Sequence, residues 1–204
     1  MPGLAQALLF AGWLAHFKRS PTEVERLASD LIELSTHQNF AFFLAGGEIL
    51  RGWARSASGD TAEGLGWIED GIEDWSATGA ILAVPYYLAL KAEALHLAHR
   101  TSKALETIRE AETLVERSGE RCWCAELHRL CGVFLASLGA DETQIQASFC
   151  EAIRIAKEQK SVSLQKRAEA TLRGIPEAKS ECGRRTRIPT TSLLTVCSAM
   201  ALFQ

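Results

Sequence analysis

Apolar residues recur at spacings of three and four through Val24, Leu27, Leu31 and Leu34, through Leu105, Ile108, Leu114 and Val115, and through Phe149, Ile153, Ile155 and Ala156. That is the helical period, and it places each set on one stripe of a helix facing a core. Turn-forming groups interrupt the pattern at Ser20-Pro21, Ser58-Gly59-Asp60, Thr78-Gly79, Arg100-Thr101-Ser102, Ser118-Gly119, Gly139-Ala140-Asp141 and Lys160-Ser161. These residue types suit helix caps, and Pro21 suits a first helical turn with Ser20 as its N-cap. The punctuation predicts helices of roughly 15 to 20 residues joined by turns short enough to make antiparallel hairpins.

The interruptions are themselves periodic. Thr78-Gly79-Ala80 returns forty residues later as Ser118-Gly119-Glu120, and less clearly as Gln159-Lys160-Ser161. Set in register, the segments align Gly52 with Ala92 and Gly132, Gly64 with Ala104 and Ile145, and Gly71 with Ala111 and Ala152. Two of these columns hold only small residues, with Ile68, Ile108 and Phe149 as large neighbours, and Leu65 and Leu105 beside the middle column. Small residues let two helices approach while the large neighbours fill the groove. The spacing of 12 and then 7 between columns resembles the tetratricopeptide repeat (TPR), with its small eighth, twentieth and twenty-seventh positions. The period is longer than the usual 34 or so. The expected fold class is therefore all-α: a TPR-like superhelical stack of antiparallel helix hairpins, an α-α solenoid. Residues 1–175 form the repeat domain, with repeats at roughly 4–38, 39–79, 80–119 and 120–160 and a capping helix over 161–174. Residues 176–204 fit no column and are expected to be poorly ordered.

Composition narrows the function. The net charge of −3 offers no general attraction to nucleic acid or an anionic membrane. No Lys or Arg precedes the apolar N-terminal run and no 18-residue apolar stretch occurs, so the expected location is cytoplasmic. Six cysteines are present, but a core of this size needs no covalent staples, and reduced thiols are expected.

Longer phrases carry a more specific resemblance. ILRGWARSASGDTAEGLGWIEDGIEDWSATGA at 49–80, VPYYLALKAEALHLAHRTSKALETIREAETLVERSGERCWCAELHRLCG at 84–132 and FCEAIRIAKEQKSVSLQKRA at 149–168 resemble the C-terminal TPR region of certain bacterial multidomain regulators. In those regulators an adenylate/guanylate cyclase domain or a DNA-binding domain precedes an ATPase, and the repeats follow. The resemblance spans roughly 3–175 and implies a noncatalytic sensor or scaffold in signal transduction. The alternative it implies is part of a cyclase or ATPase whose catalytic domains lie outside this chain. Cys122, Trp123 and Cys124 depart from the family pattern.

Familiar catalytic motifs are absent from the sequence. GDTAEGLG at 59–66 has Leu65-Gly66 where a phosphate-binding loop needs Lys and Ser/Thr. HExxH, GxSxG and paired CxxC are absent, so an enzyme is not expected, and no catalytic residue or cofactor is assigned. Cys124, His128 and Cys131 stand at i, i+4 and i+7, roughly one helix face, which could supply three zinc ligands; buried Cys acting as a small apolar residue is the preferred reading, and no metal is assigned. The five Trp residues are read as helix packing and the acidic runs as solvated faces. The expected partner is a protein or peptide, without nucleic acid or membrane, and with self-association through an uncapped repeat end as a further option. In a TPR stack the first helices of successive hairpins line the concave binding face. That geometry nominates Trp53, Tyr86, Glu93, His96, Glu126 and Arg129, Arg129 for a partner carboxylate and the aromatics as apolar anchors.

Overall fold

Nine helices follow one another along the described residues of the computed structural model, which are 2–175. They are α1 (Pro2–Phe17), α2 (Pro21–Gln38), α3 (Ala41–Ala57), α4 (Thr61–Ala77), α5 (Val84–Leu97), α6 (Thr101–Ser118), α7 (Cys124–Ser137), α8 (Glu142–Glu158) and α9 (Val162–Gly174), with a 3-10 turn, Arg121–Trp123, leading into α7. The described residues contain no strand and form an all-α fold. The expectation about residues 176–204 lies outside the described residues.

The forty-residue period is built into the backbone. Left-handed residues close the first helix of each hairpin at Arg19, Gly59, His99 and Gly139, and close the second at Asn39, Gly79 and Gly119, with Lys160 one place late. The same capping bond recurs with them. Ser20 N–H donates to Ala15 O at 3.1 Å, Asp60 to Arg55 O at 3.0 Å, Arg100 to Leu95 O at 2.8 Å and Ala140 to Leu135 O at 3.0 Å. A left-handed residue just past a helix turns the chain back sharply and satisfies carbonyls that the helix leaves open. Starts are capped less uniformly. The Asp60 carboxylate accepts from Glu63 N–H at 3.4 Å, whereas Pro21 occupies the first turn of α2 and the Ser20 side chain makes no capping bond.

The small-residue columns mark where helices nearly touch. A Cβ on Gly64 would lie 2.4 Å from Gly52 O and 2.2 Å from Ser56 Oγ, and one on Gly71 would lie 2.7 Å from Ile49 Cγ1. In α7, a Cβ on Gly132 would lie 2.6 Å from the Phe149 ring. The departure from the small-residue rule, Ile145, is buried beside Phe149 in a cluster edged by Val133, Leu135 and Leu172. There the groove is filled by side chains instead of by a close backbone approach.

The helices group into two compact units divided after Ala111. In the first, α3 packs on α1, α2, α4 and α5, and Trp53, Trp75, Tyr86, Tyr87, Ile49, Leu50 and Ile68 are fully buried. In the second, α8 and α9 pack on α7 and on each other, over Phe134, Phe149, Ala152 and Ala168.

Two glycines of α4 should respond in opposite directions. Gly64→Ala forces a methyl into backbone and is expected to lose about 3 kcal/mol, the upper part of the range for overpacking. Nothing lies within 4 Å of a Cβ at Gly66, so Gly66→Ala should gain about 0.5–1 kcal/mol through helix propensity alone. Urea unfolding midpoints of the two variants check both signs.

Candidate functional site

The first unit holds a polar cluster inside an aromatic wall. Glu93, on α5 and only 5% exposed, is its hub. Trp53 of α3 donates Nε1–H to Glu93 Oε2 at 3.1 Å, Arg19, just beyond α1, pairs its guanidinium with the same oxygen, and His16 Nε2 of α1 stands 3.5 Å from Oε1. Tyr86 Oη and His16 Nδ1 are hydrogen-bonded at 2.9 Å. The Arg19 guanidinium lies 5.5 Å from the centroid of the Trp53 ring, within cation–π reach. Trp13 and Phe17 pack on the Tyr86 ring, and His16 meets Trp53 edge-on at 4.5 Å. Three first helices of successive hairpins are thereby joined through one carboxylate.

Arg19 is the accessible member, its side chain half exposed, while Glu93, Trp53, Tyr86 and His16 are buried. His96 sits one turn beyond Glu93, partly buried, with Nδ1 3.0 Å from Thr101 Oγ1. Burial holds its pKa below the usual value near 6.5; Glu93 opposes this shift and His99 adds to it.

A second cluster occupies the other unit. Glu126 and Arg129, three residues apart on α7, form a bidentate pair at 2.9 and 2.7 Å. Arg167 of α9 adds a third bond to Glu126 at 3.0 Å, and Arg129 reaches Thr171 of the same helix at 3.5 Å. Glu126 and Arg129 are both buried. The six nominated residues thus fall into two groups, Trp53, Tyr86, Glu93 and His96 in one unit and Glu126 with Arg129 in the other. Most of them are inward-facing and hydrogen-bonded. His16, Arg19 and Arg167, the partners that complete the groups, were not singled out by the sequence. A legible signal existed for one pair: Trp53 and Glu93 stand forty residues apart, at the same place in adjacent repeats.

The remaining polar chemistry has structural partners. His128 Nδ1 stands 3.6 Å from Glu112 Oε1, and Cys131 Sγ accepts from the Ser148 hydroxyl at 3.8 Å. Burial pushes the Cys124 thiol up, against the pull of Arg121, which disfavours the thiolate that zinc or redox chemistry requires. Among the described residues no group of three His, Cys, Asp or Glu side chains could hold a metal ion. Cys122, Cys124 and Cys131 are reduced thiols. The tryptophans pack: Trp75 donates to Leu82 O at 2.9 Å, Trp123 to Glu120 at 2.7 Å, and Trp67 lies under Arg51 at 4.9 Å. Glu48, Glu63, Asp70 and Asp74 line an open groove between α3 and α4. Burial, reinforced by Asp74 and Asp70, raises the Glu48 pKa. No described helix is long and apolar enough to cross a membrane.

Comparison with known proteins places the fold. No protein-family profile matches the chain. A stretch of 153 residues, 74% of the chain, is 30% identical to an uncharacterized protein of Rhizobium meliloti (strain 1021). The chain spans only 14% of that protein's length. Among solved structures, Bacillus thuringiensis PlcR in complex with the peptide PapR7 and DNA superposes with a TM-score of 0.62 at 15% identity, over 83% of this chain and 69% of PlcR. The TPR-like repeats of a putative kinesin light chain from Podospora anserina superpose with a TM-score of 0.54 at 11% identity, over 86% of this chain and 96% of that one. The chain is a TPR-like helical-repeat protein, an α-α solenoid in fold class.

Two outcomes follow from the Glu93 cluster. Glu93→Ala should destabilise by about 3 kcal/mol, the low end for breaking a buried ion pair, because Arg19 can turn to water while Trp53 Nε1–H loses its acceptor. Arg19→Ala should also cost about 3 kcal/mol, because it leaves the Glu93 carboxylate buried without its guanidinium, and no loss of stability in either variant would remove Glu93 as hub. His96 has a depressed folded pKa, so its contribution is full above pH 6.5 and is lost as pH falls through that lower value. Urea midpoints should therefore fall between pH 7.5 and 5, and His96→Gln should flatten part of that fall.

Proposed function

We propose that the chain is a noncatalytic protein-interaction module, the sensor or scaffold part of a bacterial signalling regulator, that takes a protein or peptide on the face formed by the first helices of its hairpins. The observation that carries this reading is the Arg19–Glu93–Trp53 arrangement. A half-exposed guanidinium is held over an indole by a buried carboxylate, and the three groups come from different hairpins. Such a guanidinium is pre-oriented, so less side-chain entropy is lost when it meets an acidic group of a partner. Arg19 and His96 make the contact, while Trp53, Tyr86 and Glu93 fix the surface. Glu126 and Arg129 play the same part in the second unit.

Support also comes from likeness. PlcR, which superposes on this chain, is seen with a peptide. The phrases at 49–80, 84–132 and 149–168 resemble the repeat region of cyclase–ATPase–TPR regulators, and the matched Rhizobium protein is about seven times longer than the matched stretch, room enough for such domains. In this reading the repeats fall at roughly 4–38, 39–79, 80–119 and 120–160 with a cap over 161–174, the protein works in the bacterial cytoplasm, and neither nucleic acid nor membrane is its ligand.

A peptide-array screen tests the reading. Peptides bearing an acidic group should bind saturably, and Arg19→Ala should weaken them at least about tenfold, or 1.4 kcal/mol, while the folded helical signal is kept. No saturable binding, or binding indifferent to Arg19 and His96, would sink it. The purified chain with Mg²⁺ and ATP or GTP should release neither phosphate nor cyclic nucleotide, and measurable turnover would instead favour the enzyme reading.

A further inference from the structure

The turn between α4 and α5 holds two large apolar side chains in solvent. Ile81 is 76% and Leu82 60% exposed, the most exposed large apolar side chains among the described residues. The turn itself is pinned: Trp75 donates its indole N–H to Leu82 O at 2.9 Å, and Ala83, in the left-handed region with φ 63°, is fully buried. Phe42 of α3 packs on the Trp75 ring at 3.9 Å and meets Phe43 at 5.1 Å, and both phenylalanines are only partly buried. These residues form an apolar rim about Trp75, and an exposed apolar patch of this kind marks an interaction surface.

Beside the rim runs a groove of about 490 Å³ lined by carboxylates. Asp74, the neighbour of Trp75, begins it; Asp70, Trp67 and Glu63 follow at helical spacing toward the start of α4, and Glu48 lines it from α3. Among the described residues no Lys or Arg forms an ion pair with Glu48, Asp70 or Asp74. The cations of α3 and α5 are engaged elsewhere: Arg51 with Glu25 and over the Trp67 ring, Arg55 with Glu25 and Glu63, and Lys91 with Glu69 at 2.9 Å. Burial and the like charges of Asp74 and Asp70 raise the Glu48 pKa, the response of a carboxylate crowded by others of its sign.

We infer that the rim and the groove form one docking surface for a basic peptide segment of a protein partner, with aliphatic residues of the segment on Ile81, Leu82 and Phe42 and its Lys or Arg side chains among Glu48, Asp70 and Asp74. Charge complementarity selects the basic class, since the groove repels an acidic ligand. The carboxylates do not form a group that could hold one metal ion, so several cations on one chain suit them better. The apolar rim favours a peptide over a simple polyamine. Glu63 and Asp74 are about 16 Å apart along α4, a length that about five extended residues span. Trp67 already takes one guanidinium, that of Arg51, 4.9 Å from its ring centroid, so the same indole chemistry suits an incoming cation.

Fluorescence anisotropy tests the inference on the full chain, with labelled peptides that carry an Ile-Leu pair followed by Lys or Arg at alternate positions. Saturable binding is expected, weakened about tenfold by Asp70→Asn with Asp74→Asn and severalfold by Ile81→Ser with Leu82→Ser. Removing the same charge from the exposed side of α6, by Glu106→Gln with Glu110→Gln, should change binding by less than about twofold. A Cβ at Gly66 meets nothing within 4 Å, so Gly66→Lys should fold, place an ammonium at the groove and again weaken binding about tenfold. No saturable binding by any peptide of the set, an equal loss from the α6 pair, or indifference to either Gly66→Lys or the Ile81 and Leu82 pair overturns the inference. So does a chain that sediments as a dimer and becomes monomeric with Asp70→Asn and Asp74→Asn, since the occupant is then a second copy.

Discussion

A helix hairpin buries one face of each helix by itself and needs a neighbour for the other. The rest of this structure depends on that constraint. It is met by bringing helices close enough for backbone to touch backbone, and the Gly64 and Gly52 contact in the second hairpin is the tightest instance. With the two helices that close, Ile68 and Ile49 are fully buried beside the glycines. Left-handed residues recur at the ends of these helices, at Arg19, Asn39, Gly59 and Gly79 in the first two hairpins.

The polar clusters follow from the same stacking. In the first unit α1, α3 and α5, the first helices of successive hairpins, lie side by side, so residues one period apart meet. Trp53 and Glu93 are such a pair, and Arg19 closes the group from the end of α1. A carboxylate held this deep is tolerable only because indole, guanidinium and imidazole surround it. Its placement makes alignment of α1, α3 and α5 a condition for a satisfied interior. In the second unit Glu126 does the corresponding work between α7 and α9 through Arg129 and Arg167.

Helix positions and the repeat were legible because each depends on local or periodic information: apolar spacing, turn residues, and small residues at intervals of 12 and 7. The left-handed turns at Arg19 and His99 were harder to see, since neither is a glycine. The repeat register places Trp53, Tyr86, Glu93, Glu126 and Arg129 on the first helices of their hairpins, where the sequence nominates them for a concave face. Their depth was not recognised, because burial depends on how closely neighbouring helices approach, and that distance is set by side chains on several helices at once. Arg19 could not be ranked above other surface arginines without knowing that α1 ends beside α5.

The sequence by itself determined the helical class, the forty-residue spacing of turns and the absence of familiar catalytic motifs, because these are properties of residues near one another or repeated at a fixed interval. Tertiary structure decided which nominated side chains are buried hubs, which of them reaches solvent, and that Ile81 and Leu82 stand exposed beside the acidic groove of α3 and α4. Those outcomes arise from contacts between residues tens of positions apart, where the sum of packing distances and charge pairings, and no local preference, selects the arrangement.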